Sequence, residues 1–471
     1  MLIFFAAVAA LILGYVIYGT LVERIFKPDP NRKTPAVEMN DGVDFIEMPT
    51  WKVFLVQLLN IAGVGPIFGP ILGALYGPAA LLWIVLGSIF GGAVHDYLSG
   101  MMSIRYKGES IPEVVGYNLG NGMKQFMRGF SVILLLLVGI VFVSAPAQML
   151  ESITSEKYTM SMFVAIIFAY YFIATILPID KIIGKIYPIF GFLLVFMALG
   201  LIVMLMVKGY EFYPEESMVS SDPNKLPMWP LMFITIACGA ISGFHATQSP
   251  LMARTIANEK HGRKVFYGSM IMEGIIALIW ATLAMSFFRS SGDLNQVLSE
   301  GGPAHIVNTV SKGLLGTFGG ILAVVGVVFL PVSSGDTAFR SARLIIADFL
   351  KLDQKSYAKR FLVAIPLFVI GFVVSKTDFG IIWRYFGWAN QTLAAIVLWT
   401  GAVYLYQQNK FHWIATIPSM FMTVVVITFL FYSEIGFGLS IKVSTILGIA
   451  ASVICTILFF VLQKKKLNEQ S

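Results

Sequence analysis

Charge is scarce in this sequence. Only 13% of its 471 residues are Asp, Glu, Lys or Arg, about half the share usual in soluble domains. Cysteine is nearly absent, and Cys238 and Cys455 both fall inside apolar runs. That leaves no disulfide framework and no zinc-type spacing. The five histidines show no helical metal-ligand spacing, which argues against a metal centre. No phosphate loop, Ser/His/Asp arrangement or cofactor fingerprint is present, and no polar stretch is long enough to house an enzyme domain. A membrane enzyme is therefore disfavoured and no cofactor is expected. The net charge of +7 sits in short loops and forms no stripe, so nucleic acid is not an expected partner.

What is abundant is apolar side chain, at 57% of residues. A soluble core could not hide that much surface, so lipid must be its solvent. Apolar runs of roughly 20 residues recur along the chain, the length that crosses a bilayer core as a helix. Alternating strand patterns are missing, which excludes a barrel. The reading is an all-α polytopic membrane protein of one domain with thirteen spans: 2–22, 51–74, 78–104, 128–150, 160–178, 188–207, 228–246, 265–288, 312–336, 360–375, 381–405, 411–432 and 440–462. The first is read as a retained helix, because it has no basic region before it and no small-residue cleavage site.

Lys and Arg set the orientation. With the N-terminus outside, alternate loops assigned to the cytoplasm carry 24 of the 33 basic residues, among them Arg24, Arg105, Arg254, Lys359 and Lys464. The outer loops and helix ends carry 7, and the C-terminus falls in the cytoplasm.

Two spans cannot be regular helices. The second contains Asn60-Ile-Ala-Gly-Val-Gly-Pro-Ile-Phe-Gly-Pro70, and the seventh contains Cys238-Gly-Ala-Ile-Ser-Gly-Phe-His-Ala-Thr-Gln-Ser-Pro250. Proline removes a donor and clashes with the preceding turn, and each glycine costs about 1 kcal/mol. The breaks lie five spans apart, and an odd offset gives the two units opposite orientation. This is the pattern of an inverted repeat with a site at its centre. The segments are then 1–50 (accessory helix and loop), 51–207 (first repeat), 228–405 (second repeat) and 411–471 (accessory helices and basic tail). The competing reading, that Gly and Pro only permit close packing, is weakened by two breaks at matched positions.

The stretches Asn60–Pro70, Gly92-Ala-Val-His-Asp-Tyr97, Ile236–His245, Gly335-Asp-Thr-Ala-Phe-Arg340 and Phe386-Gly-Trp-Ala-Asn-Gln391 resemble the carbon starvation protein A (CstA) family, from about residue 44 to 395. The chain looks like a compact member. The resemblance implies the amino acid–polyamine–organocation superfamily and a leucine-transporter-type five-plus-five fold. It also implies import of pyruvate or short peptides during nutrient starvation, with proton coupling for pyruvate. In sodium-coupled relatives, hydroxyls on the helix equivalent to the ninth span help hold sodium, which points to Ser333, Ser334 and Thr337. Some proton-coupled relatives place a lysine near the position of Lys185.

The first break offers backbone N–H groups at Gly63, Gly65 and Ile67 to a substrate carboxylate, with Pro66 shaping the turn and Asn60 as a donor. The second offers Ser242, Phe244, His245, Thr247 and Gln248, with the buried amide Asn390 nearby. For Ser242 the alternative is back-bonding to its own helix. Ionisable residues within spans are functional hypotheses by default. Asp96, Glu273 and Asp336 are such residues, and Arg340 stands at i+4 from Asp336. His245 could link uptake to protons. His95 and Asp96, adjacent in sequence, are expected on different faces with no dyad between them.

These features point to a secondary transporter of a small nutrient in the bacterial plasma membrane, its partners being the substrate and the lipid bilayer. Proton and sodium both remain open as coupling ion. A nutrient sensor with a transporter body, which would bind without net uptake, is the second reading. A channel fits two closed breaks less well.

Overall fold

The computed structural model describes residues 1–42, 44–154, 158–176, 179–214, 227–324, 328, 330–352, 354, 356–377 and 379–470. Among the described residues the chain is helical, with one isolated parallel bridge between Met48 and Ile256. The main helices are α1 (Leu2–Phe26), α2 (Thr50–Ile61), α3 (Gly65–Gly73), α4 (Pro78–Arg105), α5 (Asn121–Ile153), α6 (Met160–Ile176), α7 (Ile179–Val207) and α8 (Met228–Thr235). They continue with α9 (Gly243–Ala253), α10 (Gly268–Phe287), α11 (Ser291–Val324), α12 (Leu330–Leu350), α13 (Tyr357–Val374), α14 (Phe379–Gln407), α15 (Trp413–Tyr432) and α16 (Ile441–Gln470).

Eight helices among the described residues are long and apolar enough to cross a bilayer, and α2 with α3 forms a bent pair at 49° that also qualifies. The expected spans at 160–178, 228–246, 312–336 and 381–405 fall on helices outside that set. One boundary is corrected. The ninth expected span, 312–336, straddles α11, kinked at Gly301, Gly302 and Gly316, and α12, which runs on to Leu350. The helix that carries Asp336 therefore runs on past it to Leu350, and the residue does not mark a helix end. The polar sequence Ser-Ala-Arg after Arg340 hid this continuation, because these side chains are buried against protein and not lipid.

Both breaks are enclosed. The helix containing Glu259–Phe287 is the most deeply buried of the eight, while α1 and α16 are mostly exposed to the surroundings. The freed backbone groups are satisfied by side chains, as a bilayer interior requires. Trp83 Nε1 donates to the Ile236 carbonyl at 2.9 Å and Ser88 Oγ to the Gly239 carbonyl at 2.8 Å, both from α4. Gln391 Nε2 donates to Phe233 O at 2.7 Å. At the first break, Ser334 Oγ of α12 donates to Leu59 O at 2.9 Å.

Four of the loops assigned by charge to one side meet one another. Arg105 grips Glu259 with two guanidinium nitrogens at 2.7 and 2.8 Å, and also donates to Lys27 O. Asn258 donates to Pro30 O, Arg254 to Gly108 O and Lys410 to Phe26 O. Glu259 is fully buried and also accepts from the Asp29 amide. A buried carboxylate held by a bidentate arginine is a strong tie between loops.

Candidate functional site

The two breaks press against each other. A Cβ on Gly65 would lie 2.4 Å from the Cβ and Sγ of Cys238, and one on Gly239 would lie 2.3 Å from the Ala277 Cβ and 3.8 Å from the Pro66 Cα. Gly239 also has φ +88, a left-handed conformation that side chains resist. Glycine at both positions is therefore what allows the half-helices to touch. Phe142 of α5 and Phe244 of α9 close the junction edge to face, with centroids 5.9 Å apart.

From this junction the second half-helices begin: α3 at Gly65, with Pro66 in its first turn, and α9 at Gly243. Their positive ends sit at the breaks. Asn390 of α14 serves the start of α9: its Oδ1 accepts from the Phe244 amide at 2.7 Å and from Ser242 Oγ at 3.1 Å. Ser242 thus bonds across helices and does not fold back on its own. Ile67 is a correction: its N–H closes a turn on Val64 O at 3.2 Å and is not free for a ligand. The chain rewinds sooner after the Gly-Val-Gly stretch than its composition suggested.

Polar side chains gather around the breaks. Gln57 and Asn60 are completely buried, and none of their four amide atoms has a hydrogen-bond partner. They lie three residues apart on α2, a spacing that places them on one helix face. Gln248 donates to Thr247 Oγ1 at 2.9 Å and to Ser341 Oγ at 3.4 Å, while its Oε1 is unpartnered. Sequence reading found Asn60 and Gln248 but missed Gln57; a glutamine inside an apolar run was the available signal.

A second group lies behind the break. Asp96 on α4 is fully buried, and its two oxygens lie 2.8 Å from His95 Nδ1 and 2.9 Å from His245 Nδ1. The expectation that His95 and Asp96 form no dyad is overturned. Neighbouring positions on a helix are only about 100° apart, and a carboxylate can bend toward one ring while presenting its other oxygen to a different helix. On the far side of His245, Nε2 lies 3.4 Å from Glu273 Oε2 of α10. Cys238, His245 and Glu273 place their donor atoms within 4.8 Å of one another. The break brings residues 238 and 245 together, and α10 supplies the third.

The remaining candidates lie on α12. Thr337 Oγ1 donates to Ser334 O at 2.9 Å, Asp336 Oδ2 accepts from Tyr170 at 3.3 Å, and Arg340 donates to Ala174 O. The side chains of Ser333 and Lys185 lie outside the described residues. Gly63 backs onto Phe142 and the Ser334 hydroxyl.

Comparison with known proteins places this arrangement. The chain is 46% identical over 355 residues to an uncharacterized membrane protein of Haemophilus influenzae, covering 64% of this chain and 95% of the relative. It is 26% identical to the peptide transporter CstA of Campylobacter jejuni, covering 89% of this chain and 78% of that one. It is 27% identical to the pyruvate/proton symporter BtsT of Escherichia coli, over 58% of this chain and 47% of that protein. The fold is similar to that of a mutant Eremococcus coleocola manganese transporter, at TM-score 0.60 and 14% identity, covering 92% of this chain and 99% of that one. The molecule is a multi-pass protein of the bacterial inner membrane. A family model described as carbon starvation protein CstA matches residues 1–169, 150–297 and 295–429, and the chain belongs to that family.

Proposed function

We propose that this protein is a secondary active transporter that imports a small carboxylate-bearing nutrient, pyruvate or a short peptide, by ion-coupled alternating access. The observation that carries the reading is the junction of two discontinuous helices, with the buried, unpartnered amides of Gln57 and Asn60 on the helix that leads into the first break. A buried amide without a partner costs about 1–3 kcal/mol, a cost that a polar solute at the junction offsets. Two helix N-termini at the same place suit a carboxylate. The names of the relatives support both solutes, one as a peptide transporter and one as a pyruvate/proton symporter.

Alternating access would turn on the half-helices α3 and α9, each hinged at its break, within two inverted repeats at 51–207 and 228–405. The convergence of four basic loops supports the orientation with the N-terminus outside. Uptake of labelled pyruvate and of a labelled dipeptide into proteoliposomes, with pH and sodium gradients imposed separately, tests the reading. Accumulation of either solute against its gradient, driven by one ion, is expected. Specific binding of the solute with no accumulation under either gradient would make the protein a sensor; no binding and no uptake of either solute would overturn the substrate class.

A further inference from the structure

We infer that Cys238, His245 and Glu273 form a binding site for a borderline divalent transition metal, with zinc as the reference ion and Asp96 as the group that orients the histidine. Their donor atoms, a sulfur, an imidazole nitrogen and a carboxylate oxygen, all fall within 4.8 Å of one another. This is one ligand from each class that such ions favour, and sulfur with imidazole disfavours magnesium and calcium.

The geometry around His245 argues for a cation. Its Nδ1 is 2.9 Å from Asp96 Oδ2. A carboxylate only accepts, so Nδ1 carries a proton, and Nε2 then either carries a second one, as imidazolium, or presents a lone pair. Nε2 faces Glu273 Oε2 at 3.4 Å. Neither Nε2 nor the two Glu273 oxygens has a partner in strict hydrogen-bond geometry, although His245 and the Gly239 amide both approach the carboxylate more loosely. A cation at Nε2 satisfies both groups: a proton, which makes His245 and Glu273 an ion pair, or a metal ion, which also draws in Cys238. In a tetrahedral zinc site, nitrogen and oxygen ligands at their usual bond lengths sit about 3.3 Å apart.

Charge balance points the same way. Asp96 and Glu273 are both fully buried, and among the described residues the basic groups within ion-pair distance of them are only His95 and His245. Buried charges need a partner. A divalent ion bound by thiolate and carboxylate gives a neutral inner sphere. On binding, Cys238 loses its thiol proton to bulk, giving up the 3.4 Å contact it makes with Ser242 Oγ. The carboxylate behind the ligating histidine, which Asp96 provides, is the common outer partner of a metal-bound imidazole. Three protein ligands leave a fourth position open at the broken helix.

The test uses the full-length chain in nanodiscs, stripped with a chelator, reloaded with zinc or cobalt alone and desalted. No transported solute is present, so the outcome is independent of the transport reading. One metal per chain by elemental analysis is expected, together with a thiolate-to-cobalt charge-transfer band. Cys238→Ser should abolish that band. Asp96→Asn should weaken binding roughly 10–100-fold, and Glu273→Gln by more. Where Cys238→Ser does not fold, Glu273→Gln, with the zinc affinity of the wild type as reference, decides. The inference is overturned if the reloaded and desalted wild type retains no metal, as a proton shared between His245 and Glu273 would give, or if neither Cys238→Ser nor Glu273→Gln alters binding.

Discussion

Asp96 and His245 lie 149 residues apart in sequence, and their side chains meet at 2.9 Å. This contact joins α4 to the second half of a broken helix, and both partners are fully buried. Removing one partner of such a pair leaves the other polar group buried without compensation, at a cost of about 1–3 kcal/mol, and more where the group left behind is charged. Asp96→Ala is therefore expected to lower the thermal midpoint in detergent markedly. His245→Ala in the Asp96→Ala background should cost less than in the wild type, with a coupling of about 0.5–3 kcal/mol. Additive effects in this double-mutant cycle would show that the contact is not an energetic unit.

Close approach of helices at the second break rests on glycine. A Cβ at Gly243 would lie 2.3 Å from Asn390 O and 2.5 Å from Ala394 N, both backbone atoms. Backbone cannot yield as a flexible side chain can, so Gly243→Ala is expected to destabilise by at least the roughly 1–3 kcal/mol of ordinary overpacking. Gly200 in α7 has nothing within 4 Å of the equivalent position, and Gly200→Ala should be neutral or stabilising by up to about 1 kcal/mol. Thermal unfolding of the two variants side by side checks the contrast.

Asn390 acts as a cap supplied from another helix. Replacing it with leucine leaves the Phe244 amide at the start of α9 without its acceptor. An orphaned buried donor costs about 1–3 kcal/mol. Asn390→Leu should lower stability by that amount and reduce uptake, whereas Asn390→Asp, which keeps the acceptor, should retain more stability. Equal losses in the two variants would remove the capping role.

The breaks were legible in the sequence because Gly and Pro act locally: the disturbance falls on the residues that carry the letters. Asn60, Gln248 and His245 were legible for a related reason, being polar residues beside those breaks. The cluster of Cys238, His245 and Glu273 was not, because its members are seven and 28 residues apart in the chain. They meet only through an unwound turn and the packing of α10. The pairing of His95 with Asp96 was hidden for the opposite reason. Sequence adjacency suggested divergent side chains, and only the direction of the carboxylate shows otherwise. The extent of α12 was obscured because buried arginines at 340 and 343 read as a helix end when lipid is assumed to be the surroundings.

Glu109 lies in the loop after α4 and gives a pH dependence outside the membrane. Burial pushes its carboxyl above the usual carboxylate range, with the Tyr117 hydroxyl, 3.1 Å away, opposing. A carboxyl whose folded pKa is raised contributes stability below its unfolded pKa and loses it as pH rises through the folded value. Glu109→Gln has no charge to lose. Its melting temperature should match the wild type near pH 4 and exceed it at pH 8, by on the order of 1 °C, since the site is half solvated and screened. A wild type that melts higher than the variant at pH 8 would reverse the sign and sink the argument.

Gln57 and Asn60 give the sharpest separation of function from stability. Their amide atoms are buried and unpartnered, so each subtracts from stability when no ligand is bound. Replacing Asn60 with leucine removes that burden, and apolar groups of similar shape are well tolerated at such positions. Asn60→Leu should raise the thermal midpoint or leave it unchanged, while uptake falls at least tenfold, with Gln57→Leu acting in the same direction. A site built for a solute carries this exchange of stability for function. A purely structural pair of amides would show the reverse, with lower stability and transport reduced only in proportion to the folded fraction. Measuring the midpoint and the uptake rate per folded molecule on the same preparation distinguishes the two.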